Sequence, residues 1–206
     1  MVAILTGDII HSRNVPDPAL WLDPLKETLN RFGKSPVTWE IFRGDSMQLE
    51  VAPELALLAA LKIKATIKTI KNLDIRIAIG IGSKTYEAAG VSESNGEAYV
   101  FSGETLEMLK QEKKNLSLRS PWQSLDEEMN IILNLLLVIA DNWSTTSAQT
   151  ALLVLQQPEL SQQEMANKIG ISQSSVSARY SRAHLHEILP VLAYFQKRIH
   201  GQITKE

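Results

Sequence analysis

Two aspartates lie where short hydrophobic segments of the chain reach a turn. Asp8 follows an apolar run in the segment TGDIIHSR, and Asp45 lies between two alternating segments in FRGDSMQLEV. If the strands that carry them are neighbours in one sheet, the two carboxylates converge at its edge. Magnesium is usually held in proteins by one or two carboxylates together with substrate phosphates. The pair therefore predicts a metal and phosphate site.

The same two residues also suit a structural role. A Gly-Asp pair is a common hairpin turn, in which Gly44 supplies a positive φ and the Asp45 side chain bonds its own backbone. A strand end is an equally common place for an aspartate such as Asp8. A tight pair between either carboxylate and an internal arginine, or placement of the two residues on opposite edges of the sheet, would overturn the predicted metal site and leave the structural interpretation standing. From the sequence, both interpretations stay open.

A second polar segment, LSQQEMANKIGISQSSVSARYSRAHLHEI, resembles a helix-turn-helix. Ala166 is small enough for a crossing of two helices, and Gly170 permits the left-handed turn between them. Ser161 and Glu164 have the spacing of a capping box at the start of the first helix. The shared core is predicted to contain Met165, Ile169, Ile171 and Val176.

The second helix of this motif is predicted to start at Ser172 and to expose polar and basic residues. Hydroxyl and amide side chains reach base edges, and arginines reach phosphates. The segment from Lys168 to His186 contains three Lys or Arg residues and no acid. Within it, the run from Val176 to Ala183 looks like a recognition helix of the sigma-factor region 4 type. The alternative is a protein-docking module, since acids elsewhere in this half oppose DNA binding. The predicted DNA-binding residues are Gln173, Ser174, Ser175, Ser177, Arg179 and Arg182.

Composition limits the class of protein. None of the 206 residues is a cysteine, which excludes disulfides and thiolate metal sites. A formal charge of −2 gives no global reason to bind nucleic acid or an anionic membrane, so any such binding needs a local patch. The sequence shows no leader-type segment, and its most apolar stretch, 131–140, is too short to span a bilayer. We expect a cytoplasmic protein that does not associate with membranes.

The first half of the chain alternates strand and helix patterns. Alternating or buried apolar runs predict strands, and apolar residues at helical spacing predict helices. Pro53 is expected in the first turn of the second helix, around which Lys62, Lys64, Lys68 and Lys71 are spread. The predicted strands are 2–5, 37–42, 47–51, 75–82, 98–101 and 115–119, and the predicted helices are 17–32, 53–70 and 104–109.

The pattern becomes helical throughout after Ser120 and Pro121. We therefore predict an α+β protein with an α/β domain over residues 1–121 and an all-α helix-turn-helix domain over residues 122–206. Helices are expected at 124–141, from about 145 to 158, and at 187–199. The first of these has an apolar face made by Ile131, Leu135, Val138 and Ile139.

Taken in order, the N-terminal motifs resemble the SatD family. Members of that family open with Asp-Ile-Ile followed shortly by Ser-Arg, and carry a downstream Gly-Asp hairpin with a nearby glutamine. The matching residues are Asp8-Ile9-Ile10, Ser12-Arg13, Gly44-Asp45 and Gln48, and the resemblance covers the whole chain, including the helix-turn-helix.

The N-terminal half is also similar to class III nucleotidyl cyclases, whose palm-like domain is a ferredoxin-like α/β sandwich. Those enzymes hold two magnesium ions with an aspartate after the first strand, the following carbonyl and the hairpin aspartate. The resemblance implies that Asp8, the Ile9 carbonyl and Asp45 are the metal ligands. It implies a nucleotide or phosphate site at the neighbouring residues Gly7, Ser12, Arg13, Arg43 and Gly44.

The chain departs from the cyclase pattern at two positions. Val100 and Glu104 stand about where cyclases have an asparagine for ribose and an arginine for the transition-state phosphate. A glutamate repels a triphosphate, although Arg13, Arg43 or Arg76 could supply the positive charge. The resemblance therefore implies binding of metal and nucleotide more firmly than turnover, and the catalytic residues stay unassigned.

Our leading hypothesis is a DNA-binding regulator whose palm-like domain binds a nucleotide or another phosphorylated ligand with magnesium. The ligand would tune DNA binding by favouring one arrangement of the two domains. One alternative is an active nucleotidyl cyclase or transferase that uses Asp8 and Asp45. Another is a protein-docking adaptor with a non-catalytic palm scaffold. Symmetric helix-turn-helix binding and cyclase-type pairing both predict a homodimer.

Overall fold

A computed structural model describes residues 1–205 and contains one five-stranded sheet in the order β2-β3-β1-β4-β5. Neighbouring strands are antiparallel, except that β4 and β5 are parallel. The order β2-β3-β1-β4 is that of a ferredoxin-like sandwich, in which two split βαβ units interleave. The α+β fold class is thus confirmed. The strands are β1 (Val2–Ile10), β2 (Trp39–Phe42), β3 (Ser46–Val51), β4 (Asp74–Gly82) and β5 (Leu116–Arg119).

Three helices belong to the strand-containing half, and five follow it. The first three are α1 (Ala19–Asn30), α2 (Ala56–Lys68) and α3 (Glu97–Glu112). The C-terminal helices are α4 (Gln123–Ala140), α5 (Thr145–Gln156), α6 (Gln162–Ile169), α7 (Gln173–Arg182) and α8 (Leu185–Ile203). Within residues 1–205, no helix is both long enough and apolar enough to cross a membrane.

The two faces of the sheet bury different helices. Alternate residues of β1 point to opposite faces: Leu5 and Ile9 join the large core that includes α1 and α2 residues, whereas Ile4 packs with Ala98 of α3. A Cβ on Gly80 would clash with the Ala98 carbonyl oxygen, so β4 needs a glycine where α3 crosses. Asp8 lies on the same face of β1 as Ile4, beyond that crossing.

The C-terminal helices dock on the outer edge of β5. The Asn130 side chain donates from Nδ2 to the Leu118 carbonyl oxygen at 2.8 Å and accepts from the Leu118 amide at 2.9 Å. This amide satisfies backbone groups that would otherwise be unpaired at a sheet edge. One hydrophobic cluster contains both Leu118 of β5 and Leu133 of α4. Because the core is continuous across residues 120–122, the two-domain division stays a prediction.

One predicted strand is wrong. Residues 98–101 are not a strand but the first turns of α3, which also begins earlier than the predicted helix at 104. The buried residues of α3, among them Ala98, Ser102 and Leu109, follow helical spacing along the whole element. The final helix, predicted from about Glu187 to Ile199, is present and runs from Leu185 to Ile203.

Candidate functional site

Asp8 and Asp45 lie at the same end of the sheet. Asp8 is opposite Ser46 in the register of β1 with β3, and the Ile9 amide donates to the Asp45 carbonyl oxygen at 3.0 Å. The local sequence explains this: the tight turn between β2 and β3 places Asp45 immediately before the strand that pairs with β1. The two aspartates are therefore neighbours across adjacent strands, as a shared site requires.

The Asp8 carboxylate has an internal partner. Arg76 lies directly opposite Asp8 on β4, and its Nη1 atom is 3.0 Å from Asp8 Oδ2 and 3.4 Å from Oδ1. The Asp8 side chain is 21% exposed, and the Arg76 side chain is 15% exposed. A guanidinium and a divalent cation compete for the same oxygens. The contact is the arginine pair that counts against the metal site predicted from the sequence, so the structural interpretation of Asp8 holds in this conformation and a metal ion could bind there only if Arg76 moved.

Asp45 is held more loosely. Its Oδ2 atom accepts a hydrogen bond of 2.9 Å from the hydroxyl of Ser12, which follows β1. Arg43 and Gly44 precede it with positive φ values of 52° and 89°, the left-handed geometry of a tight hairpin turn. The turn expected from the Gly-Asp pair is present, and it leaves Arg43 exposed. Arg13 is also exposed, so two cations border this end of the sheet.

Gly7 lies apart from the other predicted phosphate-binding residues. A Cβ on Gly7 would be 2.8 Å from the Arg76 carbonyl oxygen and 3.5 Å from the Ile75 side chain. The close approach of β4 thus accounts for this glycine by strand packing. The preceding residue, Thr6, lies on the other face of β1. Its hydroxyl donates to the Ser102 hydroxyl at 2.9 Å and accepts from the Gln48 side-chain amide at 3.4 Å. Strand alternation was the signal that could have placed Thr6 beside Asp8.

The donor set at this edge fits magnesium by type. Two carboxylates and the Ile9 carbonyl are hard oxygen ligands, and magnesium normally takes its remaining ligands from water and phosphate. In residues 1–205, no group of three or more His, Cys, Asp or Glu side chains could hold a metal ion. The protein therefore offers two carboxylates here, and phosphate or water would have to complete the coordination shell.

Glu104, which stands where cyclases have an arginine, forms an ion pair with Arg119 of β5 at 2.5 Å. The same guanidinium lies 4.7 Å from the centroid of the Phe101 ring. The positive charge of Arg119 therefore neutralises Glu104. Val100, at the other departure from the cyclase pattern, is 49% exposed.

The helix-turn-helix is formed by α6 and α7. The predicted capping box is confirmed, since Ser161 and Glu164 exchange side-chain and backbone hydrogen bonds. Gly170 ends α6 with a φ of 69°, the left-handed geometry that glycine favours. Met165 and Val176 are buried as predicted. Ile169 is 39% exposed, so its assignment to the shared core is wrong: it is the last residue of a short helix and faces solvent.

The exposed face of α7 is polar and basic. Ser172 caps the helix by accepting from the Ser175 amide, and its hydroxyl also contacts those of Ser174 and Ser175 at 3.0 Å and 2.8 Å. The Gln173 amide donates to Gln162 of α6 at 2.7 Å. All of these side chains except Gln162 are exposed, and Ser177 is half-buried.

Two arginines extend this face toward the end of α7. Arg182 is exposed and Arg179 is half-buried. Among the side chains of residues 1–205, neither guanidinium lies within ion-pair distance of a carboxylate. Their charges are therefore available to an external anion.

Comparison with known proteins agrees with these motifs. The model of the SatD family matches residues 1–190, which include both the aspartate motifs and the helix-turn-helix. No curated protein and no solved structure matches the chain. Since the matched range covers most of the sequence, the chain belongs to the SatD family.

Proposed function

We propose that this protein is a DNA-binding regulator whose N-terminal half binds a nucleotide or another phosphorylated ligand together with magnesium. The observation that carries the proposal is the exposed face of α7, where Arg179 and Arg182 have no carboxylate partner among residues 1–205. Proteins position themselves on DNA mainly through contacts of this kind with phosphates. Because the formal net charge of the whole protein is −2, binding to DNA has to depend on a local basic surface such as this one.

The order of the polar and basic residues along α7 supports a role as a recognition helix in a groove of DNA. Residues near the start of a recognition helix reach base edges, and the basic residues further along contact the backbone. Gln173 lies at the first position of α7, and the two arginines lie in its last turns. The contact between Gln173 and Gln162 orients that amide before any partner binds. DNA is therefore a better partner for this surface than an acidic protein, which would not need the glutamine and serines.

The sheet edge supports a phosphorylated ligand. Asp8, the Ile9 carbonyl and Asp45 would hold magnesium, while Arg13 and Arg43 stand exposed beside them. The ion, when bound, would neutralise phosphate oxygens and fix their orientation. Arg76, released from Asp8, would remain close enough to attract the same phosphates. Binding at this site would thus replace one internal ion pair by several contacts with the ligand.

The same proposal includes a cytoplasmic homodimer. Ile131, Leu135 and Val138 of α4 are 64%, 66% and 68% exposed, and their spacing places them in one stripe. The residues that α4 buries are others, such as Leu133 and Leu137. A contiguous exposed apolar patch is typical of an interaction site. A two-fold related copy would cover the same stripe on both subunits and would present two α7 helices to DNA.

The test is a salt-titrated binding curve of the full-length protein against genomic DNA fragments. We expect a sequence-selective complex whose footprint spans two half-sites about one helical turn apart. Arg179→Ala and Arg182→Ala should each weaken binding to all sequences and reduce the salt slope by about 0.9. Gln173→Ala should instead change the preferred sequence.

Arg31→Ala is the matched control, because it removes an exposed arginine that directly follows α1 and lies far along the chain from α7. It should leave both the affinity and the salt slope unchanged. Absence of a selective complex at low salt would remove DNA binding from the proposal. Formation of a cyclic or dinucleotide product from a nucleoside triphosphate and magnesium would replace the regulator by an enzyme.

A further inference from the structure

A line of contacts connects the Asp8 end of the sheet with the end of α4. Arg76 donates from Nη1 to Asp8 and from Nε to the Lys114 carbonyl oxygen, both at 3.0 Å. The next residue, Asn115, donates from Nδ2 to Asp141 Oδ2 at 3.1 Å. Two different nitrogens of one guanidinium thus contact the candidate site and the segment that leads into β5. The position of Arg76 affects both ends of this line.

Asp141 is fixed by a buried cluster of charges. Lys64 of α2 is 2% exposed, and its Nζ atom lies 2.7 Å from Asp74 Oδ1 and 2.5 Å from Asp141 Oδ1. The second contact is an ion pair without hydrogen-bond alignment. Lys68 donates to the Asp141 carbonyl oxygen at 2.6 Å and lies 3.3 Å from Asp74 Oδ2. The two positive and two negative charges balance, so a shift of Asp141 leaves a buried ammonium with fewer partners.

The segment that follows this cluster contacts the end of the helix-turn-helix. Trp143 is buried, and its Nε1 atom donates to the carbonyl oxygen of Ala183 at 3.0 Å, at the end of α7. Ser144 caps α5 by accepting from the Ser147 amide at 3.1 Å. Both residues follow Asp141 within three positions of the chain. A displacement of Asp141 is therefore passed to the packing of α5 and α7.

We propose that Arg76 couples the candidate site to the helix-turn-helix through Lys114, Asn115 and Asp141. The identity of the signal, a phosphorylated ligand at Asp8, rests on the proposed function, whereas the coupling itself is a property of the ligand-free chain. When the Asp8 carboxylate is engaged by a ligand, Arg76 loses this partner. Its bond to Lys114 then no longer has the same geometry, and the Asn115 contact with Asp141 changes with it.

Physically, this arrangement is a two-state element. In one state Arg76 bridges Asp8 and the Lys114 carbonyl, and in the other it is free of Asp8. A ligand shifts the balance only if it binds one state more tightly. A ligand that uses the Asp8 oxygens meets that condition, because the bridged state denies it those oxygens. A contiguous path of contacts becomes evidence of coupling only when both ends respond to one change.

The test measures hydrogen exchange by mass spectrometry on the full-length protein without ligand or DNA. Asp8→Asn removes the charge that holds Arg76, and we expect amides of residues 141–156 to exchange about fivefold faster or more. Asp45→Asn is the matched control. It removes the other carboxylate at the same edge, which contacts Ser12 rather than Arg76, and it should leave residues 141–156 unchanged.

Two further variants separate coupling from general loosening. Arg76→Lys keeps a positive charge for Asp8 but cannot also bond the Lys114 carbonyl, so it should reproduce the faster exchange of residues 141–156. Asn115→Ala should do the same, and adding it to Asp8→Asn should produce no further increase. Asn142→Ala, which removes a side chain that donates to the nearby Val138 carbonyl oxygen, is the local control.

Unchanged exchange of residues 141–156 in both Asp8→Asn and Arg76→Lys overturns the inference. So does an equal increase in Asp45→Asn. Neither result depends on binding of nucleotide or DNA, so failure of the proposed function would appear separately, as absence of those complexes.

Discussion

The sheet edge and the exposed face of α7 differ in how their charges are neutralised. At the edge, Asp8 pairs with Arg76, and Asp45 accepts from Ser12. On α7, Arg182 is exposed and Arg179 is half-buried, and neither forms an ion pair among the described side chains. The aspartates at the sheet edge thus have partners within the protein, whereas the two arginines of α7 have no carboxylate partner among residues 1–205.

Under the proposed function, this difference separates the ligand site from the DNA-binding face. A ligand at the sheet edge must displace an internal ion pair, so its binding is linked to a rearrangement of the chain. A phosphate at α7 displaces only water and counterions, so its binding is governed by salt concentration. Internally compensated charges are thus suited to control, and exposed ones to contact with a partner.

The largest expected effect lies in the buried charges behind the edge. Asp141→Ala should lower the free energy of unfolding by about 2 kcal/mol, which is less than for a fully buried pair, because the Asp141 side chain is 33% exposed and Asp74 still contacts the buried Lys64. Urea denaturation measures this change. Asp23→Ala, which removes an exposed aspartate of α1, should change it by less than about 0.5 kcal/mol. A small effect of Asp141→Ala would remove the contrast between internal and external charges.

The next effect concerns magnesium affinity, measured by calorimetry. Asp45→Asn should weaken binding by about tenfold or more, because it removes a ligand. Arg76→Met should strengthen binding several-fold, because it removes both a competing guanidinium and a positive charge. Arg13→Met tests the charge alone, and should have a smaller effect than Arg76→Met. Weaker binding in Arg76→Met would show that the pair does not compete with the ion.

The smallest effect is a pH dependence at the surface contact between α4 and α8. Hydrogen bonds from Arg198 and then Tyr194 lower the pKa of Glu128 from 4.5 to about 2. A carboxylate with a lowered pKa in the folded state stabilises the protein above pH 4.5, and this contribution is lost as pH falls from 4.5 toward 2. Because the Glu128 side chain is 32% exposed, the contribution is about 1 kcal/mol or less.

Glu128→Gln tests this by unfolding at pH 7 and at pH 3. The variant should be less stable than the wild type at pH 7, and the difference should shrink at pH 3. Glu127→Gln, at the exposed neighbouring position, should show no such difference. A difference that persists unchanged at pH 3 would assign the effect to packing rather than to charge.

Local chemistry made several features predictable from the sequence. The alternation of residues 47–51 and the apolar run of residues 75–82 indicated β3 and β4, because side chains of a strand alternate between two faces. Ser161, Glu164 and Gly170 indicated the ends of α6, because capping depends on residues within one turn. The hairpin aspartate was recognisable for the same reason.

Other features depended on residues that are distant in the chain. The segment 98–101 has the apolar residues of a strand, but it forms the first turns of α3. This part of α3 packs closely against Gly80 of β4, which is distant in the chain, so the sequence pattern did not show it. The apolar stripe on α4 was visible in the sequence, but its exposure was not, since α4 is apolar on more than one side.

The partners of the charged residues were decided by tertiary structure alone. Sequence identified Asp8 as a ligand candidate, but the pairing of β1 with β4 places Arg76 on its carboxylate. The sequence pattern did not distinguish Lys64 from the other lysines of α2. The fold buries it between Asp74 and Asp141. Residue type and spacing determine which chemistry a chain can offer. Which of those groups are already satisfied depends on long-range pairing, because a charge interacts with whatever the fold brings within a few ångströms.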